Sequence, residues 1–115
     1  MQAAINTLAA MDGRRIAILG DMGELGDKAE ALHAGLDASA VDMLLLAGPM
    51  MRHLADKAKQ AMWLPDTEAL VQHVATMIKE GIFKAGDHIL VKASRSMHFE
   101  RIIQLLTGKE AHDAV

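Results

Sequence analysis

Short, almost uninterrupted apolar runs recur along the chain and alternate with longer segments of helical periodicity. The apolar runs are Arg15 to Gly20, Met43 to Gly48, Met62 to Leu64 and His88 to Ala93. A strand that is apolar on both faces is typical of a parallel sheet covered by helices on each side, whereas a strand with one solvated face alternates. The runs therefore predict four buried strands of a parallel sheet.

Between these runs, apolar residues return every three or four positions, as they do on one face of a helix. The clearest stripe precedes the fourth run, with Asp66 predicted as its N-cap and Gly81 as its end. Ser96 is the predicted N-cap of the last helix. The helix after the first run is predicted to begin at Asp27, with Glu30 close to completing a capping box. The apolar positions of the five predicted helices are Ile5, Leu8 and Ala9; Leu32, Leu36 and Ala40; Leu54, Ala55 and Ala58; Leu70, Val74, Met77 and Ile78; and Phe99, Ile102, Ile103 and Leu106.

The order of these elements is a helix followed by four strand–helix units. It predicts an α/β fold, a three-layer doubly wound (Rossmann-like) and mostly parallel sheet of about four strands. The chain opens directly in a helix, with no strand from which that helix could connect. We therefore expect residues 1–115 to be one domain that lacks the first strand of the full domain.

Composition narrows the class of protein. The 115 residues are 51% hydrophobic and 23% charged, with a formal net charge of -3 and no cysteine. The absence of cysteine excludes a disulfide framework and a thiolate metal site or nucleophile. The charge gives no electrostatic footprint for nucleic acid, and no apolar run is long enough to span a bilayer. A cytoplasmic protein is expected.

The sequence LGDMGELG, residues 19–26, has three glycines and two acids where the first strand ends, and we call residues 21–26 the acidic loop. The G-x-x-G-x-x-G spacing of this sequence matches neither of the phosphate-binding motifs G-x-x-x-x-G-K-[ST] and G-x-G-x-x-G. No lysine is placed to pair with a phosphate. The carboxylates of Asp21 and Glu24 would instead accept from a ribose hydroxyl, a substrate ammonium or a hydrated metal ion. The alternative is a loop whose glycines supply positive φ and whose Asp27 caps the next helix.

The serine turn, residues 92–96, follows the fourth strand and has the opposite charge. Lys92 and Arg95 supply cations, Ser94 and Ser96 supply hydroxyls, and a helix start would add free backbone N–H groups. Such a set can bind a carboxylate or a phosphate. The alternative is a serine N-cap beside two solvated cations. If the two loops were adjacent they would suit a zwitterion, but adjacency depends on a strand order that the sequence does not give.

The histidines and the possible nucleophiles do not indicate a catalytic or metal site. The six histidines are scattered, without the spacing of a metal site, and no nucleophile–histidine–acid set can be argued. His33 lies just after the acidic loop, where a solvated or capping role is the expectation. A receiver-like domain is excluded because the strand end Leu46-Ala47-Gly48 carries no aspartate.

Two separated motifs resemble the C-terminal domain of Mur ligases. They are AILGDMGELG followed by His33, and ILVKASRSMHFERII near the end. The segments LPDTEALVQHV and AAINTLAAMDGRRIAILGDM fit the same family, so the resemblance spans residues 1 to 107. Within the family, the motifs resemble the branch that adds D-Ala-D-Ala to a UDP-N-acetylmuramoyl-tripeptide.

The resemblance implies an ATP-dependent ligase of peptidoglycan precursor synthesis. In the family, ATP phosphorylates a peptide carboxylate, and the amine of D-Ala-D-Ala attacks the acyl phosphate. Mg²⁺ and the phosphate loop belong to the family's central domain, while the C-terminal domain closes over the site. Closure of this kind keeps an acyl phosphate from water. The implied partners are ATP, the dipeptide, the UDP-linked tripeptide and the rest of the parent ligase chain.

Some site residues carry over by the resemblance alone. Asp21 matches a position on the nucleotide side, and Lys92, Ser94 and Arg95 match the turn that faces the incoming dipeptide. Glu24 and His33 match motif positions without an assigned role, and no catalytic residue or metal ligand is carried over. The chain departs from the family at Ala93, where glycine is usual, and at residues 96–98, where Gly-Met-Arg is usual.

The chain also lacks the family's glycine-rich Lys-Thr loop, its Mg²⁺ region and its UDP-sugar domain. We therefore expect a fragment of a larger three-domain enzyme that is inactive by itself. The alternative is a stand-alone, non-catalytic α/β module that binds a nucleotide or a small zwitterion.

Overall fold

A computed structural model of the chain describes residues 1–23 and 29–107, and it forms one parallel sheet between two helical layers. The predicted α/β fold is confirmed. The elements, in chain order, are α1 Gln2–Ala9, β1 Arg15–Gly20, α2 Ala29–Ala34, β2 Met43–Ala47, α3 Arg52–Ala55, β3 Ala61–Leu64, α4 Thr67–Lys79, β4 His88–Lys92, a 3₁₀ helix Arg95–Met97 and α5 Glu100–Thr107.

The four strands follow the order β3-β2-β1-β4, and every pair is parallel. In register, Leu19 of β1 lies between Leu46 of β2 and Lys92 of β4. The two central strands, β1 and β2, are almost wholly buried because both of their faces are covered. This explains why their sequences are near-continuous apolar runs.

Two apolar clusters hold the layers together, one on each face of the sheet. On the first face, Ile5 and Leu8 of α1 and Leu54 of α3 pack against β1 and β2. On the second face, Leu70 and Val74 of α4 and Ile102 of α5 are buried with the alternate strand residues. Among the described residues, no helix is long and apolar enough to cross a membrane.

The caps predicted for α4 are confirmed. The Asp66 side chain accepts a hydrogen bond from the Ala69 backbone N–H at 2.9 Å. Gly81 follows the last turn with φ +71, in the left-handed region that glycine adopts without strain. The predicted start of α2 at Asp27 lies outside the described residues.

The predicted extent of α2 is wrong. The helix ends at Ala34, so the periodic stripe does not reach Ala40, which is exposed. Just beyond the helix, the Asp37 carboxylate accepts from both the backbone N–H and the hydroxyl of Ser39. An aspartate that bonds two residues ahead closes a turn, which competes with continued helix.

Arg14 and Asp87 tie the start of β1 to the loop before β4. The guanidinium donates to both oxygens of Asp87, and the Lys84 backbone N–H also donates to that carboxylate. The Asp87 side chain is only 8% exposed. The Arg14 guanidinium and the Lys84 N–H together hold the pKa of Asp87 below its usual value of 3.8.

This pair predicts a pH dependence of stability. A carboxyl with a lowered pKa in the folded chain stabilises the fold above its unfolded-state pKa, and the contribution is lost as pH falls through the folded pKa. We expect Asp87→Asn to flatten the fall in the urea midpoint below about pH 4. Glu68→Gln, in the more exposed pair with Arg101, should flatten it less because solvent screens that pair. Equal slopes for wild type and Asp87→Asn would contradict this prediction.

Candidate functional site

The first residues of the acidic loop, Asp21–Gly23, and the serine turn lie side by side at the carboxyl edge of the sheet. They are neighbours because β1 pairs directly with β4, which answers the question of strand order. The Ser94 backbone N–H donates to the Asp21 carbonyl oxygen at 2.9 Å. In open parallel sheets, ligands bind in the crevice outside the carboxyl ends of the strands. The fold thus brings four predicted site residues to one such edge: Asp21, Lys92, Ser94 and Arg95.

The Asp21 carboxylate faces the start of α3. One oxygen accepts from the Met51 backbone N–H at 2.9 Å, and the other accepts from the Met50 N–H at 3.2 Å. These two N–H groups precede the four-residue helix α3, whose N-cap residue Met51 has no side-chain cap of its own. Asp21 therefore connects the end of β1 to the segment after β2. Each carboxylate oxygen can accept more than one hydrogen bond, so acceptor capacity remains for a ligand.

Gly48 makes this contact possible. Its φ is +105, and a Cβ built on it would lie 2.6 Å from both Cγ and Oδ1 of Asp21. The glycine lets the carboxylate approach the backbone closely enough to reach the Met50 and Met51 N–H groups. The sequence motifs of the acidic loop and the serine turn do not include this segment. The signal that could have found it is the Gly48-Pro49 pair directly after a buried strand.

His33 lies on α2 and is buried, with 1% of its surface exposed. Its Nε2 accepts a hydrogen bond from the Met22 backbone N–H at 2.9 Å. The expectation of a solvated side chain is therefore wrong. The helix turns this residue inward, onto the loop that precedes it by 11 positions in sequence.

The serine turn presents its charges to solvent. Lys92 and Arg95 are exposed and Ser94 is half-buried, with its Oγ 2.9 Å from the Oγ of Ser96. Ser96 lies inside the 3₁₀ helix Arg95–Met97, and α5 begins only at Glu100. The prediction of Ser96 as the N-cap of α5 is therefore wrong.

The backbone explains why α5 starts late. His98 follows the 3₁₀ helix with φ 55, a left-handed conformation that interrupts helical continuation. The Thr67 hydroxyl donates to the Met97 carbonyl oxygen, which ties the turn to the first residue of α4. The chain then enters α5 at Glu100.

The two described glycines of the sequence LGDMGELG do not supply the positive φ of the alternative interpretation. Neither Gly20 nor Gly23 adopts a positive φ. A Cβ at Gly20 would instead lie 2.7 Å from Cζ of Phe99 and 2.8 Å from Cβ of Ala93. Gly20 is thus required for the close approach of α5 and the serine turn to the end of β1. Gly26, Glu24 and Asp27 lie outside the described residues.

Metal-binding side chains do not gather at this edge in the part of the chain that the structure describes. Within residues 1–23 and 29–107, no group of three or more histidine, aspartate or glutamate side chains could hold an ion. At this edge, the described residues offer a ligand the carboxylate of Asp21, the cations of Lys92 and Arg95, and the serine hydroxyls.

Comparison with known proteins identifies the family. The model of the family described as "Mur ligase, glutamate ligase domain" matches residues 1–95. The chain belongs to the Mur ligase family. The resemblance in the sequence motifs is confirmed.

Two curated relatives of this Mur ligase domain are UDP-N-acetylmuramoyl-tripeptide–D-alanyl-D-alanine ligases. The protein from Escherichia coli is 32% identical over 110 residues, which are 92% of this chain and 24% of the relative. The protein from Bacillus subtilis is 32% identical over 116 residues, covering 90% of this chain and 24% of the relative. The chain thus spans about a quarter of the length of the curated relatives it matches.

Solved structures give the same fold. MurF from Acinetobacter baumannii superposes with a TM-score of 0.75 at 22% identity, over 93% of this chain and 24% of that one. MurF ligase from Thermotoga maritima, solved in complex with ADP, superposes with a TM-score of 0.71 at 26% identity. That match covers 99% of this chain and 26% of the Thermotoga chain.

Proposed function

We propose that this Mur ligase domain is the C-terminal part of an ATP-dependent ligase that adds D-Ala-D-Ala to UDP-N-acetylmuramoyl-tripeptide in peptidoglycan precursor synthesis. The observation that carries the proposal is the 32% identity, over at least 90% of this chain, to two ligases named for that reaction. The stand-alone binding module is not favoured, because the family match covers residues 1–95.

In this proposal the chain supplies one wall of the reaction site. Bound ATP supplies the phosphoryl group that activates the tripeptide carboxylate, and the dipeptide amine then displaces phosphate to form the amide. The ADP complex of the Thermotoga relative supports a nucleotide as the ligand. We assign ATP and Mg²⁺ mainly to the remainder of the ligase, since the described residues offer no metal cluster. The cytoplasm is the proposed location because ATP is the energy source.

The charges at the carboxyl edge define the proposed roles. Asp21 accepts from a nucleotide hydroxyl, because a carboxylate repels phosphate but accepts hydroxyl donors. The cations of Lys92 and Arg95, with the Ser94 hydroxyl, bind the dipeptide carboxylate and orient its amine. Glu24 shares the acidic loop with Asp21, and we leave it without a role. A site that binds and orients both reactants accelerates their reaction and, once closed, excludes water from the acyl phosphate.

We also propose that the chain is a fragment of a three-domain enzyme and does not turn over alone. The position of β4 at the edge of the sheet supports the proposal that the full domain has a further strand before α1. Helix α1 packs on the face that also carries α3, and its contacts are with β4 and β1. Right-handed crossovers on this face lead from β1 to β2 and from β2 to β3. A parallel strand that preceded α1 would therefore pair with the edge of β4 that no described strand occupies.

The decisive experiment measures amide formation by a ligase that contains this chain as its C-terminal domain. We expect Lys92→Ala and Asp21→Ala each to lower the rate at least about tenfold, because each removes a charged contact to a reactant. Lys59→Ala is the matched control, since Lys59 is an exposed lysine ahead of β3, at the opposite edge of the sheet. Lys92→Ala tests ligand binding more directly than Asp21→Ala, because the Asp21 carboxylate also binds the backbone at the start of α3. Near-wild-type rates for both variants would refute the site assignment.

A further inference from the structure

The first half of the acidic loop, Asp21–Gly23, is anchored from three directions. The Asp21 carboxylate binds the backbone ahead of α3, and the Asp21 carbonyl oxygen binds the Ser94 N–H of the serine turn. The third anchor is the bond from the Met22 N–H to Nε2 of His33 on α2. The first two contacts belong to Asp21 itself, whereas the third fixes the next peptide unit. The direction in which the chain leaves β1 therefore depends on His33.

The burial of His33 indicates that its bond to Met22 matters to the fold. Among the residues whose burial the structure describes, His33 is the one polar or charged residue that is buried. A polar side chain loses water when it is buried, so it is retained where protein hydrogen bonds replace that water. Nε2 is the acceptor in this bond, because the Met22 backbone N–H can only donate.

Packing alone does not fix Met22. A cavity of about 280 Å³ opens beside it. The residues that line this cavity are Met1, Gln2, Met22, Leu32, His33 and Leu36. The Met22 side chain is half-buried, and Leu32 is 49% exposed. Among the described residues, the cavity leaves the side of Met22 that faces α2 loosely packed, and the Met22–His33 hydrogen bond is a specific contact there.

We infer that His33 is a positioning residue, which holds Asp21–Gly23 so that Asp21 and the serine turn keep their relative placement. It acts through the Met22 peptide and not by touching a reactant. A displacement at Met22 passes to Asp21 along the chain, and from the Asp21 carbonyl to Ser94. That His33 places Asp21 relative to the serine turn is independent of the proposed function. That this placement matters for ligation rests on the proposed function.

Amide hydrogen exchange in the isolated chain tests the placement with three variants. His33→Leu keeps an apolar side chain of similar reach but removes the acceptor. His33→Gln restores an acceptor, because its amide oxygen can reach the region of Nε2. Leu36→Ala is the matched control: Leu36 lines the same cavity and its loss weakens packing, but it leaves the Met22–His33 bond in place.

We expect His33→Leu to speed exchange at the Met22 amide by about tenfold relative to the amide of Leu45 in β2, with a smaller increase at Ser94. His33→Gln should restore most of the protection, and Leu36→Ala should leave the Met22-to-Leu45 ratio as in wild type. Unchanged protection at Met22 in His33→Leu, or an equal loss in Leu36→Ala, would overturn the inference.

Kinetics of the ligase that contains this chain separate the inference from the proposed function. We expect His33→Leu to raise the KM for ATP more than it lowers kcat, and His33→Gln to reverse the change. If His33→Leu loosens Met22 but leaves both constants at wild-type values, the role in positioning a reactive site is wrong. If Asp21→Ala and Lys92→Ala retain activity while Met22 still loosens, the site assignment fails and the placement by His33 stands.

Discussion

Replacement of Gly48 by alanine is expected to cost about 3 kcal/mol of unfolding free energy, one of the two largest effects anticipated for a single methyl group in this chain. Two causes act together. The φ of +105 is strained for any residue with a Cβ, and the added Cβ would meet Asp21 at 2.6 Å. The carboxylate must then withdraw from the Met50 and Met51 N–H groups that it binds.

Urea unfolding of Gly48→Ala beside Gly81→Ala separates these causes. Gly81 also has a positive φ, +71, but nothing lies within 4 Å of the position of its Cβ. Gly81→Ala should therefore cost only the backbone strain, about 1 kcal/mol. In addition, Asp21→Ala should be less costly in the Gly48→Ala background than in wild type, because the contact is already lost. Equal losses for the two glycine variants would contradict the role given to Asp21.

The sheet could be predicted from the sequence because its signal is local. Each buried strand is an almost continuous apolar run, so all four observed strands start and end within one residue of the predicted ones. Helix α4 was equally predictable, since Asp66 and Gly81 mark its ends by their own backbone preferences. The family motifs also lie in contiguous segments, which is why the resemblance could be stated before the fold was known.

The site depends on contacts between segments far apart in sequence, and these could not be predicted. The acidic loop and the serine turn are neighbours only because α4 carries the chain back across the sheet to β1. The burial of His33 depends on how α2 packs against Met22, which lies 11 residues earlier in the sequence. Gly20 could be misinterpreted as a conformational glycine because its partners, Ala93 and Phe99, come more than 70 residues later.

The second large effect is expected at Gly20, where alanine should also cost about 3 kcal/mol of unfolding free energy. No backbone strain is involved, since Gly20 does not have a positive φ. The added methyl would lie 2.8 Å from Cβ of Ala93 and 2.7 Å from Cζ of Phe99. The Ala93 Cβ moves only with the backbone, and the Phe99 Cζ belongs to a rigid ring. Phe99 is buried at 5% exposure, so the ring, or the serine turn with it, must move.

A double-mutant cycle tests this packing directly. Ala93→Gly removes the Cβ that a methyl group on Gly20 would meet, so it creates space on one side of Gly20. We expect Gly20→Ala with Ala93→Gly to recover about 1 kcal/mol relative to the sum of the single variants, measured by urea unfolding. Phe99→Leu should give a recovery of its own, since it removes the other contact. Strict additivity in both cycles would mean that Gly20 is not required for the approach of the serine turn to β1.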